Sequence, residues 1–107
     1  MPLQILDSED DPGRLRLVGD LDLHTAEAAT DVILAKCDRP ELSLDLSDLD
    51  FMDSSGVRVV LRAFKAVSSN GGSFALLSPN PTVRRIIDLL GLQANGVVVR
   101  DTNEPGS

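Results

Sequence analysis

A chain of 107 residues with 42% hydrophobic content is the size of one globular domain, and three Phe with no Trp or Tyr leave its core to aliphatic side chains. Ten basic against seventeen acidic residues give a net charge of −7, which repels a nucleic-acid backbone or an anionic lipid surface. Nucleic acid and membrane are therefore excluded as expected partners, and the shortage of aromatic rings removes the stacking platforms that single strands use.

The single domain is expected to span 1–107, with its core over about 3–100 and a polar tail at 101–107. Met1 to Asp11 has neither a basic leader nor a long apolar run, so neither signal peptide nor membrane span is expected and a cytoplasmic location follows. Leu3 to Leu6 is a short apolar run, stopped by polar residues and Pro12-Gly13. Leu15 and Val18 then begin a second strand that reaches Gly19, and the two strands read as a hairpin. A helix follows over His24 to Lys36, with Asp22 or Thr25 as its cap and Glu27 in the first turn.

Leu42, Leu44 and Leu46 alternate with Ser43, Asp45 and Ser47 at the period of a half-buried strand, whose polar face is expected to be wet or lightly covered. From Gly56 the apolar positions Val57, Val60, Leu61, Phe64 and Val67 form one helical stripe, with Arg58, Arg62 and Lys65 opposite. Asn70-Gly71-Gly72 ends that helix and Phe74 to Leu77 is the next strand. Asn80 and Pro81 suit the cap and first turn of a third helix with a stripe of Val83, Ile86, Ile87 and Leu90. Gly91 stops it, Leu92 folds back on Ile87, and Val97 to Val99 is the last strand. The order β-β-α-β-α-β-α-β calls for an α/β fold: a mixed, mostly parallel sheet of about five strands with helices mainly on one face.

The segment Asp45 to Gly56 delivers Ser54 and Ser55 to a helix start behind a cluster of acids. Unpaired N–H groups and a partial positive charge make that the best place on the chain for a covalent phosphoryl switch, although local chemistry on its own favours two capping serines. Asp20 and Asp22 read, taken singly, as turn and cap residues. The basic strip Arg58, Arg62 and Lys65 reads as a solvated face that could also steer a partner. His24 has no nucleophile elbow to serve, the sole cysteine Cys37 reads as a buried thiol, and no catalytic, metal or cofactor site is expected.

Three segments resemble the STAS domain, and in particular the bacterial anti-sigma factor antagonists: Gly19-Asp20-Leu21-Asp22, Asp45 through Gly56, and Ser78-Pro79 with Pro81, Val83, Arg84 and Arg85. The resemblance implies a non-catalytic module that binds an anti-sigma factor with a histidine-kinase-like ATPase fold and serine kinase activity. It implies release of a sigma factor on binding, loss of binding on phosphorylation, and resetting by a serine phosphatase. It puts the phosphate on Ser54, leaves Ser55 as the cap, and brings Asp20, Asp22, Asp53, Ser54, Ser55, Gly56 and Arg58 into the partner surface. Arg58 stands where small or apolar residues are frequent in the family, and 101–107 is too short for the closing helix that members often carry. An alternative use of the same domain is as a subunit of a stress-signalling scaffold or lipid-trafficking assembly without kinase control.

Overall fold

Pairing begins with a hairpin and continues in one direction. The computed structural model describes residues 2–8 and 10–101. Within it β1 (Gln4–Asp7) and β2 (Arg14–Leu21) are antiparallel, and β3 (Glu41–Met52), β4 (Ser73–Leu77) and β5 (Val98–Arg100) add in parallel, in spatial order β1-β2-β3-β4-β5. Helices α1 (Ala26–Leu34), α2 (Ser54–Ser69) and α3 (Pro81–Leu89) fill the crossovers, as expected from the element order. The tail from 102 onward lies outside the described residues.

Register explains which face is covered. Leu15 pairs with Leu44, which pairs with Leu76, and this apolar row joins one core cluster with Ile33 of α1, Val60 and Val67 of α2, and Val83 and Ile87 of α3. The next row along the sheet is Leu6, Arg16, Asp45, Leu77 and Arg100, on the opposite face. Arg16 is exposed there and pairs with Asp48 across β2 and β3.

That second face is not uniformly wet, contrary to the expectation for Asp45, which is only 6% exposed. Its Oδ1 accepts from the Ser47 backbone N–H at 3.0 Å and from the Ser47 hydroxyl at 2.7 Å. The pairing register shifts at this point, so the carboxylate satisfies a donor beside a β-bulge. β3 then continues through a second register shift to Met52, well past the expected end at Leu46.

α2 buries Val59 and Ala63 as well as Val57, Val60 and Val67, because it packs against both the sheet and α1. A single stripe is therefore too narrow a description of it. α3 starts as expected: Asn80 Oδ1 accepts from Val83 N–H at 2.8 Å, while Asn80 Nδ2 donates to the Leu49 carbonyl at 2.8 Å and ties the helix to β3. At its far end Gly91 is left-handed with φ 70°, and Leu92 N–H donates to the Ile87 carbonyl at 3.2 Å. This fold-back buries Leu92 completely and leaves Leu90 44% exposed, so Leu92 takes the core position assigned to Leu90.

Cys37 is buried where α1's end meets α2, and its Sγ–H donates to the Ile33 carbonyl at 3.3 Å. Burial, with the charge of Asp38 adding to it, pushes the thiol pKa up. The folded chain therefore holds this proton to higher pH than the unfolded chain does. The group's contribution to stability is complete below the unfolded value and is lost as pH rises toward the folded one. Cys37 is expected to resist a thiol reagent such as dithionitrobenzoate in the native protein and to react fully in denaturant; equal rates in both would contradict its burial.

Candidate functional site

Strand pairing brings the two acidic segments together. Asp20 lies opposite Phe51 and Leu21 opposite Met52, and Asp53 N–H donates to the Leu21 carbonyl at 3.3 Å. The turn after β2 thus sits beside the start of α2. Asp22 spends its carboxylate on that turn: Oδ1 accepts from His24 N–H at 2.9 Å and Thr25 N–H at 3.2 Å. Thr25 Oγ1 accepts from Asp22 N–H at 3.0 Å and donates to the Asp20 carbonyl at 2.9 Å. Thr25 occupies the N-cap position of α1 without a side-chain cap bond, so neither expected residue caps this helix in the usual manner.

The cap of α2 is Asp53, not Ser55. Its extended backbone turns Oδ1 onto the N–H groups of Ser55 at 2.8 Å and Gly56 at 3.2 Å. With the cap supplied one residue earlier than Ser54, both serines are helical and their hydroxyls are released from capping. Ser54 is exposed and Ser55 half-buried, and among the described residues the Ser54 hydroxyl makes no hydrogen bond. Asp53→Ala is expected to cost about 1 kcal/mol of stability, and Ser55→Ala much less; urea melts of the two variants check the assignment.

Gly56 is buried and serves the site by packing. A Cβ there would meet the Leu21 carbonyl oxygen and Met52 Cγ, each at 2.6 Å. Only glycine lets the first turn of α2 settle this closely on the end of β2, next to the turn that follows it.

Arg58 is exposed one turn beyond Ser54. It lines an open groove between α1 and α2, with Ser55, Val59 and Arg62 on its own side and Leu23, Glu27 and Asp31 across from it. Leu23, a lining residue of this groove, and Phe51, opposite Asp20 near the end of β3, are apolar side chains that the sequence reading left unassigned, 72% and 44% exposed. For Leu23 a signal was present: it follows the buried Leu21 at strand spacing, but Asp22 begins a turn that ends the strand. His24 is exposed, and no group of three or more potential metal-binding side chains occurs among the described residues. Nor is any helix among them long and apolar enough to cross a membrane.

Known proteins are similar to this chain in sequence and in fold. An anti-sigma F factor antagonist of Paenibacillus polymyxa is 37% identical over 81 residues, covering 73% of this chain and 69% of that protein. The crystal structure of an anti-sigma factor antagonist from Mycobacterium paratuberculosis superposes with a TM-score of 0.78 at 26% identity, covering 94% of this chain and 86% of that one. The structure of the Bacillus cell fate determinant SpoIIAA in its phosphorylated form gives a TM-score of 0.64 at 25% identity, covering 94% and 92%. The STAS domain family model matches residues 5–104, nearly the whole length, and the chain belongs to the STAS domain family.

Proposed function

We propose that this protein is an anti-sigma factor antagonist whose partner surface is centred on Ser54. We assign Asp20, Asp22, Asp53, Ser55 and Arg58 to that surface with it, and Gly56 packs closely on the end of β2 beneath them. In the unmodified state the surface binds an anti-sigma factor, which then lets go of its sigma factor. The same anti-sigma factor, carrying a histidine-kinase-like ATPase fold, acts as the serine kinase. Ser54 Oγ attacks the γ-phosphorus of ATP, the Oγ–P bond forms as the bond to the β,γ-bridging oxygen breaks, ADP leaves, and the hydroxyl proton passes to a base on the kinase. A serine phosphatase reverses the state by adding water across the Oγ–P bond, releasing inorganic phosphate. The protein is a substrate in both steps, supplies no catalytic group, and works in the cytoplasm.

One observation carries this reading: in a STAS domain, the first serine of α2 is exposed and its hydroxyl makes no hydrogen bond among the described residues, because Asp53 does the capping. A phosphoryl group can be added there without breaking a hydrogen bond of the fold. It adds about −1.5 to −2 charges at neutral pH, beside Asp53 and the Asp20–Asp22 turn. Incubation with the anti-sigma factor kinase and ATP, followed by mass spectrometry, is expected to map the phosphate to Ser54 and to find none on Ser54→Ala. Modification confined to another residue would overturn the site.

A further inference from the structure

We propose that Arg58 receives the phosphoryl group on Ser54, so that modification both adds negative charge to the partner surface and withdraws a cation from it. The inference rests on Ser54 being the modified residue and deepens that reading.

The two positions are four apart on α2, i and i+4, so their side chains are neighbours on one face of the helix. Helical side chains lean toward the N-terminus, which sends the long Arg58 side chain back over the turn that carries Ser54. The anion precedes the cation in this pair, which is the favourable orientation along a helix. A phosphomonoester offers three acceptor oxygens to the planar guanidinium fork, a match suited to two parallel hydrogen bonds.

Arg58 is also available. Lys36 is paired with Asp7, Arg16 with Asp48, and Arg84 with Asp88 and Asp101. Arg58 is exposed and makes no ion pair or hydrogen bond among the described residues, although Glu27 and Asp31 line the far wall of its groove. Arg62 and Lys65 stand eight and eleven residues beyond Ser54, two turns or more along the helix. Strand pairing brings the turn that carries Asp20 and Asp22 beside the start of α2, where Asp53 precedes Ser54. A new dianion there meets these carboxylates on one side and, one turn along the helix, the Arg58 guanidinium on the other. Before modification Arg58 points its charge into solvent, where an acidic group on the anti-sigma factor can meet it; afterwards that charge is spent within α2.

The test uses the full chain with phosphoserine encoded at position 54, which needs no kinase. Phosphorus NMR follows the second ionisation of the phosphate, ordinarily near about pH 6. The protein with Arg58 is expected to titrate about 0.4 lower than its Arg58→Gln variant, Arg58→Lys to restore part of the difference, and Arg62→Gln to change nothing. Identical titrations with and without Arg58, or an equal shift from Arg62→Gln, would overturn the pairing. Either result would leave Ser54 standing as the switch, since phosphate mapping with the kinase decides that separately.

Discussion

Gly56→Ala is expected to destabilise the protein by about 1–3 kcal/mol, the usual cost of overpacking a filled site. At an open helical position the same change gains up to about 1 kcal/mol, so the sign itself is diagnostic. The difference comes from a methyl group that would stand 2.6 Å from a backbone carbonyl, that of Leu21, which cannot rotate away. The first turn of α2 must lift off β2, stretching the bond from Asp53 N–H to the Leu21 carbonyl. Urea melts should show a lower midpoint with little change in slope, and thermal melts a fall of about 4–8 °C for each kcal/mol lost. A midpoint at or above that of the parent would contradict the close approach on which the site's geometry depends. The same lift would move Ser54 away from the Asp20–Asp22 turn, so affinity for the partner should fall together with stability.

Ser54→Asp is expected to weaken binding of the anti-sigma factor about tenfold, which corresponds to about 1.4 kcal/mol. Ser54→Ala should retain parental affinity within about twofold, because an exposed hydroxyl without a fold-internal bond is worth little to the interface. The full phosphate, with up to twice the charge and a larger hydration shell, should cost about 3 kcal/mol, or about a hundredfold. Stability should hardly follow. Charge in the first turn of a helix contributes about 0.3–1 kcal/mol in the favourable direction, offsetting repulsion from the neighbouring acids. Loss of affinity with no loss of folding is therefore the signature, measured by calorimetry for binding and by denaturation for stability. A parallel fall in both would mean that Ser54 supports the fold rather than the switch.

Local chemistry made much of this molecule legible in sequence. Asn80, Pro81 and Gly91 bracket α3 because an N-cap, a first helical position and a left-handed stop each favour one of these residue types, and the buried Leu92 follows from the turn at Gly91. The serine-bearing helix start was equally visible. Its cap was not: Asp53, Ser54 and Ser55 are consecutive good cap residues, and the choice falls to Asp53 through the pairing of β2 with β3, a contact between distant parts of the chain. Long-range pairing also explains the length of β3. Asp48 stands where the alternation calls for an apolar residue, so the pattern breaks after Ser47, yet the chain stays extended to Met52 by pairing with β2 across two register shifts. Asp45 and Val59 were misjudged or missed for related reasons, one satisfied by a bulge and the other by a second packing neighbour.

Whether the exposed hydroxyl of Ser54 governs recognition is decided most directly by comparing phosphoserine encoded at position 54 with phosphoserine encoded at Ser68, an exposed serine in the last turn of the same helix. Titrated into the anti-sigma factor, the chain modified at position 54 is predicted to bind about a hundredfold more weakly than the unmodified chain, and the chain modified at position 68 to bind as the unmodified one does. Equal affinity for the unmodified and Ser54-phosphorylated chains, or the same loss from either position, would contradict the account.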